Sequence, residues 1–284
     1  QWMADWFWRF RAGSSAYREI AWLSVILFLP VLHALYLGQI NLLVPIGLLL
    51  FYRAVKKKRY VLAGLAVLLV AAKPHLVFLV FLFLGLWCLK HRLWALLFAA
   101  ALSLTVPVIL LSLYNPSLLG DYIAAVGTSG GPFEWATPTL GTVLWMLFDS
   151  SSVLLRMAPP IVGLCIGVLA WQNGWKETFS WNEQLAPILL LSVCTAAYAW
   201  PHDLVVLLPV ILIMLIWFSE DMVRNWWIPV GIVAAEACAY AVMVSNGSAF
   251  YGFWFPWVLA GLYWFCFKSS QSRHQRPEGT PEAC

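Results

Sequence analysis

Charge is what this sequence has least of. Only 11% of its residues are Asp, Glu, Lys or Arg, while 62% are hydrophobic, against roughly a quarter charged and half apolar in an ordinary soluble domain. That shortage excludes a soluble globular protein and leaves a polytopic membrane protein. Cysteine is present but unorganised. Cys88, Cys165, Cys194, Cys238, Cys266 and Cys284 show no CxxC spacing, and all but Cys284 lie in apolar segments, so neither a disulfide framework nor a metal knuckle is legible. Walker A, HExxH, GxSxG and haem-type His patterns are missing as well. No cofactor and no metal site are therefore expected. The net charge of +4 makes no case for nucleic acid, because the basic residues cluster beside apolar runs.

What is there is long apolar sequence and tryptophan. The apolar runs are too continuous for the alternating strands of a membrane barrel, so the expected class is all-α. The 18 tryptophans suit a chain with many membrane–water interfaces. About ten membrane segments can be drawn: Ile20–Leu37, Leu42–Tyr52, Tyr60–Ala72, His75–Leu89, Leu93–Tyr114, Pro160–Trp171, Leu185–Trp200, Leu204–Phe218, Trp227–Ser245 and Phe253–Phe267. Several are shorter than the roughly 20 residues an upright crossing needs, which predicts short or broken helices. Residues 1–267 read as a single membrane domain. Within it, 115–157 forms an extracytoplasmic loop, with an amphipathic interfacial helix over Leu140–Met157. Residues 268–284, rich in Ser, Arg, Pro and Glu, read as a disordered cytoplasmic tail.

Basic residues set the orientation. Clusters at Arg9/Arg11/Arg18, Arg53–Arg59, Lys90–Arg92 and Lys268/Arg273/Arg276 all fall on one side when the segments between them are counted. The positive-inside rule makes that side cytoplasmic. The turn Gly38-Gln39-Ile40-Asn41, the interruption Lys73-Pro74-His75 and the turn Trp200-Pro201-His202-Asp203 then converge on the extracytoplasmic side.

Each of these has two readings. Lys73 is a charge between apolar runs, followed by a proline that disfavours helix at the lysine. It is either a fixed cation for a phosphate or a lysine snorkelling to the headgroups. Gln39 and Asn41 carry amides suited to sugar hydroxyls or phosphate oxygens, or they belong to a purely structural turn. His202 is a candidate phosphate or hydroxyl ligand, or a proton acceptor. Asp203 can be a ligand beside it or an N-terminal helix cap. His33 and Glu236 are further ionisable residues within apolar segments, each alone in its stretch. Asn246-Gly247-Ser248 matches a glycosylation sequon.

The order Leu35-Tyr-Leu-Gly-Gln-Ile-Asn-Leu-Leu43, basic turn, Ala63-Gly64, Lys73-Pro74 and later Pro201-His202-Asp203-Leu204 resembles glycosyltransferase family 87 over about Ala21 to Pro209. These are GT-C-type membrane enzymes that use polyprenyl-phosphate-mannose. The resemblance implies a plasma-membrane, multi-pass hexosyltransferase moving mannose from a polyprenyl-phosphate-sugar donor to a lipid or glycan acceptor outside the cytoplasm. It places His202 at the catalytic centre and Lys73 on the donor phosphate. Gln39 and Asn41 would shape the pocket, and His75 and Asp203 would join the substrate-binding set. It also implies a catalytic aspartate in the first extracytoplasmic loop. Asp5, beside Arg9 and Arg11, matches poorly, so that base and the helices before it are expected upstream of Gln1. The alternatives are a transporter or lipid flippase with Lys73, Glu236 and His33 along its path, and a non-catalytic membrane subunit.

Overall fold

The computed structural model describes residues 18–127, 135–149 and 152–274, and every regular element among them is helical. The first apolar stretch is two helices, α1 (Arg18–Leu27) and α2 (Leu29–Tyr36). Between them Phe28 is extended (φ −63°, ψ 106°) and Pro30 enters the first turn of α2, where its missing N–H leaves no helical bond unmade. Gly38 then turns the chain at φ +62°, a conformation that costs glycine little. A 3₁₀ turn Ile40–Leu42 leads into α3 (Leu43–Lys56).

Three apolar helices follow: α4 (Tyr60–Val70), α5 (Phe78–His91) and α6 (Trp94–Tyr114). The chain reverses through left-handed Lys58 and Arg92, both at φ 54°. Basic side chains at these helix ends complement the unsatisfied last carbonyls. Helix α4 is wedged between α3 and α6, and the fit is close. A Cβ on Gly64 would lie 2.6 Å from both the Leu96 carbonyl and the Ala99 Cβ, so only hydrogen fits. At the other end of α4 the helix stops at Val70, and Lys73 stands non-helical (φ −139°, ψ 70°) before a 3₁₀ turn Pro74–Leu76. The break expected at Lys73-Pro74 is present.

Helix α7 (Leu118–Gly127) and α8 (Leu140–Phe148) precede α9 (Val153–Ala170), which continues through a π-helical turn, Trp171–Trp175, into Lys176–Thr178. The single interfacial helix expected over Leu140–Met157 is instead the whole of α8 and the start of α9, because Asp149 and Ser152 are extended. After α10 (Trp181–Cys194) an irregular stretch reaches a 3₁₀ helix, Pro201–Leu207, which feeds α11 (Leu208–Glu220). Helices α12 (Trp227–Ser245) and α13 (Phe255–His274) close the described chain. Helix α13 carries on through Lys268 to His274, so the tail expected to be disordered begins as helix; 275–284 lie outside the described residues.

Among the described residues five stretches are long and apolar enough to cross a membrane: Trp94–Tyr114, Val153–Thr178, Pro201–Glu220, Met222–Ser245 and Ala249–Ser270. Helices α3, α4, α5 and α10 hold only 14, 11, 14 and 14 residues, short of an upright crossing. Pro201–Glu220 is 94% buried, against 22% to 33% for the other four. It is the central helix, and the motif Pro201-His202-Asp203 heads it. Chain direction gives the bundle two distinct ends. Asn41, Lys73, His75 and His202 share one; Lys56–Arg59, Lys90–Arg92, Glu177 and Asn182 share the other, where Tyr52 hydrogen-bonds to Asn182 and Lys90 meets Glu177.

Candidate active site

Pro201 starts the central 3₁₀ helix, and Asp203, two residues on, turns its Oδ2 back to accept the Trp200 N–H at 2.9 Å. Seven residues of 3₁₀ helix are unusual, and the run leaves Asp203 fully buried at the bundle's polar end. A buried carboxylate needs compensation, and two distant segments supply it. Lys73 Nζ lies 3.3 Å from Asp203 Oδ1. Asn41 Nδ2 donates to the same oxygen at 3.2 Å and to the His202 carbonyl at 2.6 Å. The breaks at 38–41 and 71–77 therefore exist to bring an amide and a cation to the head of α11. Asn41 itself is buried, and its Oδ1 has no hydrogen-bond partner.

His202 stays close to this knot, with Nε2 3.8 Å from Asp203 Oδ1 and its ring edge-on to His33 at a centroid distance of 5.4 Å. His75 stacks on Tyr198, centroids 3.9 Å apart and planes within 19°, and its buried Nε2 has no partner. His75 lies in the turn between α4 and α5. Burial there pushes its imidazole down to about 4; the Asp203 charge opposes that and Lys73 adds to it. Burial likewise raises the Tyr198 phenol, with the Asp203 and Tyr122 charges adding to it. Trp135 reaches the same group, 6.4 Å from Tyr198 and 6.0 Å from Trp200 by ring centroids. Its carbonyl accepts from Arg156 Nη1 at 2.9 Å, and the Arg156 guanidinium lies 3.9 Å over the Trp145 ring. An aromatic wall thus flanks the Lys73–Asp203 pair.

Next to His202 opens a cavity of about 670 Å³, whose polar lining comes from His33, Tyr36, Glu236, Tyr240 and Ser248 amid aliphatic walls. Pro201 and Leu204, the neighbours of His202 and Asp203, form part of it. Among the described residues no group of three or more His, Cys, Asp or Glu could hold a metal ion. The profile of glycosyltransferase family 87 matches residues 1–193 of the 284. The chain belongs to glycosyltransferase family 87. No curated protein and no solved structure gives a significant match. The family match starts earlier than the motif resemblance and stops short of Pro201-His202-Asp203, which the structure joins to it through Asn41 and Lys73.

Of the residues singled out in this family 87 chain, Lys73, Asn41, His75, His202 and Asp203 come together. Gln39 sits at the start of the 3₁₀ turn with its N–H on the Ala34 carbonyl at 2.9 Å, and its side chain takes no part in the network. Asp203 caps its helix, the structural one of its two readings, and also serves as counter-ion to Lys73. Asn246-Gly247-Ser248 is a helix-ending turn in which Ser248 Oγ accepts the Phe250 N–H at 3.3 Å. Asp5 lies outside the described residues. Sequence reasoning missed Tyr198, Trp200 and Trp135 as a wall of the site. Their proximity to the Pro201-His202-Asp203 motif, for the first two, was the available signal.

Proposed function

We propose that this glycosyltransferase moves a hexose, mannose by the family resemblance, from a polyprenyl-phosphate donor to a lipid or glycan acceptor on the extracytoplasmic face of the plasma membrane. The observation that carries the reading is the Lys73–Asp203–Asn41 knot set beside a cavity of about 670 Å³ with largely aliphatic walls. Lys73 has three N–H donors, and Asp203 takes only one direction. The others can reach a phosphate oxygen without breaking the pair. Asp203 cancels much of the lysine's net charge, so Lys73 works here as an aimed donor more than as a free cation. In transfer the acceptor oxygen bonds to the anomeric carbon, the carbon–oxygen bond to phosphate breaks, and polyprenyl phosphate leaves with the electron pair. Donors fixed on that phosphate stabilise the charge as it grows.

His202 lies beside Asp203 and meets His33, a lining residue of the cavity, edge-on, and is the imidazole we assign to donor or acceptor hydroxyls. His75, Asn41 and Gln39 belong to the rim of the same end. The basic clusters at the opposite end of the bundle support an extracytoplasmic site by the positive-inside rule. Sugar carried on a lipid needs no nucleotide-binding fold, and an apolar cavity wall suits a prenyl chain.

The test is sugar transfer from radiolabelled polyprenyl-phosphate mannose in membranes carrying the full chain. Lys73→Ala should lower transfer about 100-fold or more, and Lys73→Arg, which keeps charge and donors, should retain a measurable part. Equal transfer by wild type and Lys73→Ala removes Lys73 from the donor site.

A further inference from the structure

Among the described residues five take a positive φ. Three are glycines, Gly38, Gly174 and Gly247; the other two are Lys58 and Arg92, both at 54°. Each of these two is the left-handed residue of a turn that ends a helix. The Lys58 N–H bonds to the Val55 carbonyl at 2.9 Å and the Arg59 N–H to that of Ala54 at 2.8 Å. In the second turn the Arg92 and Leu93 N–H groups bond back to Leu89 and Cys88 at 3.4 and 2.9 Å. Glycine adopts this conformation at least cost, so the fold carries a lysine and an arginine here against the preference of the backbone. The main chain alone closes both turns, and both side chains are exposed.

The two turns lie side by side, because α4 and α6 start from them and run together. Gly64 backs onto Leu96 and Ala99 so closely that a Cβ would come within 2.6 Å of both, and Ser103 Oγ donates to the Gly64 carbonyl at 3.3 Å. One helical turn back, about 5.4 Å, the chain reaches Tyr60 on α4 and the first residues of α6. Lys57, Lys58, Arg59 and Arg92 therefore form one exposed patch. Among the described residues none of the four pairs with a carboxylate, and the first turns of α4 and α6 carry no acid. Directly beyond the charges the exposed side chains turn apolar: Val61, Leu62 and Leu65 on α4, Trp94 and Phe98 on α6. Cations above an apolar wall match the layout of a phospholipid, with an indole at the boundary between head and chains. A soluble partner would use the cations alone.

We propose that these two turns form a docking site for the anionic headgroup of a membrane phospholipid. Lys58 and Arg92 hold its phosphate, Lys57 and Arg59 flank it, and its chains lie along Leu62, Leu65 and Phe98. Both side chains suit the task, the guanidinium as a two-pronged donor to phosphate and the ammonium as a compact charge. The positive-inside rule turns this end toward the cytoplasmic leaflet, where anionic lipids make each basic residue near the surface worth about fivefold in binding. Bound there, the lipid ties the turn between α3 and α4 to the turn between α5 and α6, so binding raises Tm. The patch lies at the opposite end of the bundle from Lys73 and Asp203, and the proposal is independent of the transfer reading.

The experiment places the full chain in nanodiscs of phosphatidylcholine, alone or mixed with phosphatidylglycerol. It reads Tm and, by native mass spectrometry, the phosphatidylglycerol that stays bound. Two variants remove equal charge from the same end of the bundle: Lys58→Gln/Arg92→Gln within the patch and Lys176→Gln/Lys268→Gln outside it. Wild type should retain phosphatidylglycerol in preference and gain Tm from it. The patch variant should bind it about tenfold more weakly or worse, and the outside variant within about twofold of wild type. Equal losses in the two variants mean attraction to a diffuse positive surface and overturn the site, as does no loss in either. If the glutamine pair does not fold, Lys58→Gly/Arg92→Gly decides, because glycine suits both turns. A Tm in phosphatidylcholine at or above wild type, with the gain from phosphatidylglycerol lost, upholds the site; an undiminished gain overturns it. A Tm gain from soluble glycerol 3-phosphate as large as that from phosphatidylglycerol makes the patch a site for free phosphate and overturns the lipid assignment.

Discussion

Two lysine–carboxylate pairs of nearly equal length sit at opposite ends of this bundle. Lys73 Nζ is 3.3 Å from Asp203 Oδ1, and Lys90 Nζ is 3.2 Å from Glu177 Oε2. Their surroundings differ. The Asp203 side chain is 0% exposed and Glu177 is 75% exposed. Asp203 also takes hydrogen bonds from Asn41 and from the Trp200 N–H, whereas Lys90 shares its ammonium with the Lys176 carbonyl in water. Burial and the number of partners set what a charge pair contributes, and separation says little. The first pair orders three chain segments around a site. The second ties α5 to the end of α9 at a surface already rich in lysine and arginine.

The largest break in that comparison is Asp203→Ala. It strands Lys73, frees the Trp200 N–H and leaves Asn41 without its carboxylate. Removing one partner of a buried pair costs about 3–5 kcal/mol, and about 3 kcal/mol is expected because Lys73 keeps 19% of its side chain exposed. Thermal unfolding in detergent should show the lower Tm, and transfer should fall at least as far as in Lys73→Ala. An Asp203→Ala protein with unchanged Tm would mean that the pair does not order the site.

Much of this end was legible locally, and its connectivity was not. Lys73-Pro74 announces a helix break through the proline, and the structure has one between Val70 and Phe78. Pro30 carried the same signal within the first apolar stretch, where the chain splits into α1 and α2. The apolar runs mark the helices because every backbone group at membrane depth must bond internally. Asp203, by contrast, reads locally as a helix cap. Its role as counter-ion depends on Asn41, 162 residues away, and on Lys73, and no periodicity reports such a pairing. His33 and Glu236 look solitary for the same reason; only the packing of α2 and α12 around one cavity joins them. The aromatic wall depends on His75 meeting Tyr198 across the bundle.

A smaller effect separates the two ends by pH. His75 titrates near 4 in the fold against 6.5 for an ordinary imidazole, chiefly because it is buried. With the folded value depressed, the unfolded chain takes the proton first. Stability is therefore full above 6.5 and is lost as the pH falls from 6.5 toward 4. His75→Gln, neutral throughout, should flatten this acid decline in Tm relative to wild type. Parallel declines in the two proteins would place His75 in water.

The smallest effect is expected at the basic end, and its smallness is informative. Glu177→Ala removes a carboxylate that is 75% exposed, so solvent already screens the attraction to Lys90, and the loss should be about 0–1 kcal/mol. Raising salt should shrink even that, since exposed charges are screened within about 10 Å at ordinary ionic strength. Transfer should stay at the wild-type rate, because Glu177 lies at the opposite end of the helices from Lys73. The matched measurement is the Tm difference between each variant and wild type at low and high salt. Asp203→Ala should keep its deficit in both, while Glu177→Ala loses what little it has. A Glu177→Ala deficit as large and as salt-resistant as that of Asp203→Ala would mean the two ends are built alike, and the division of the molecule into a buried working end and a solvated anchoring end would fall.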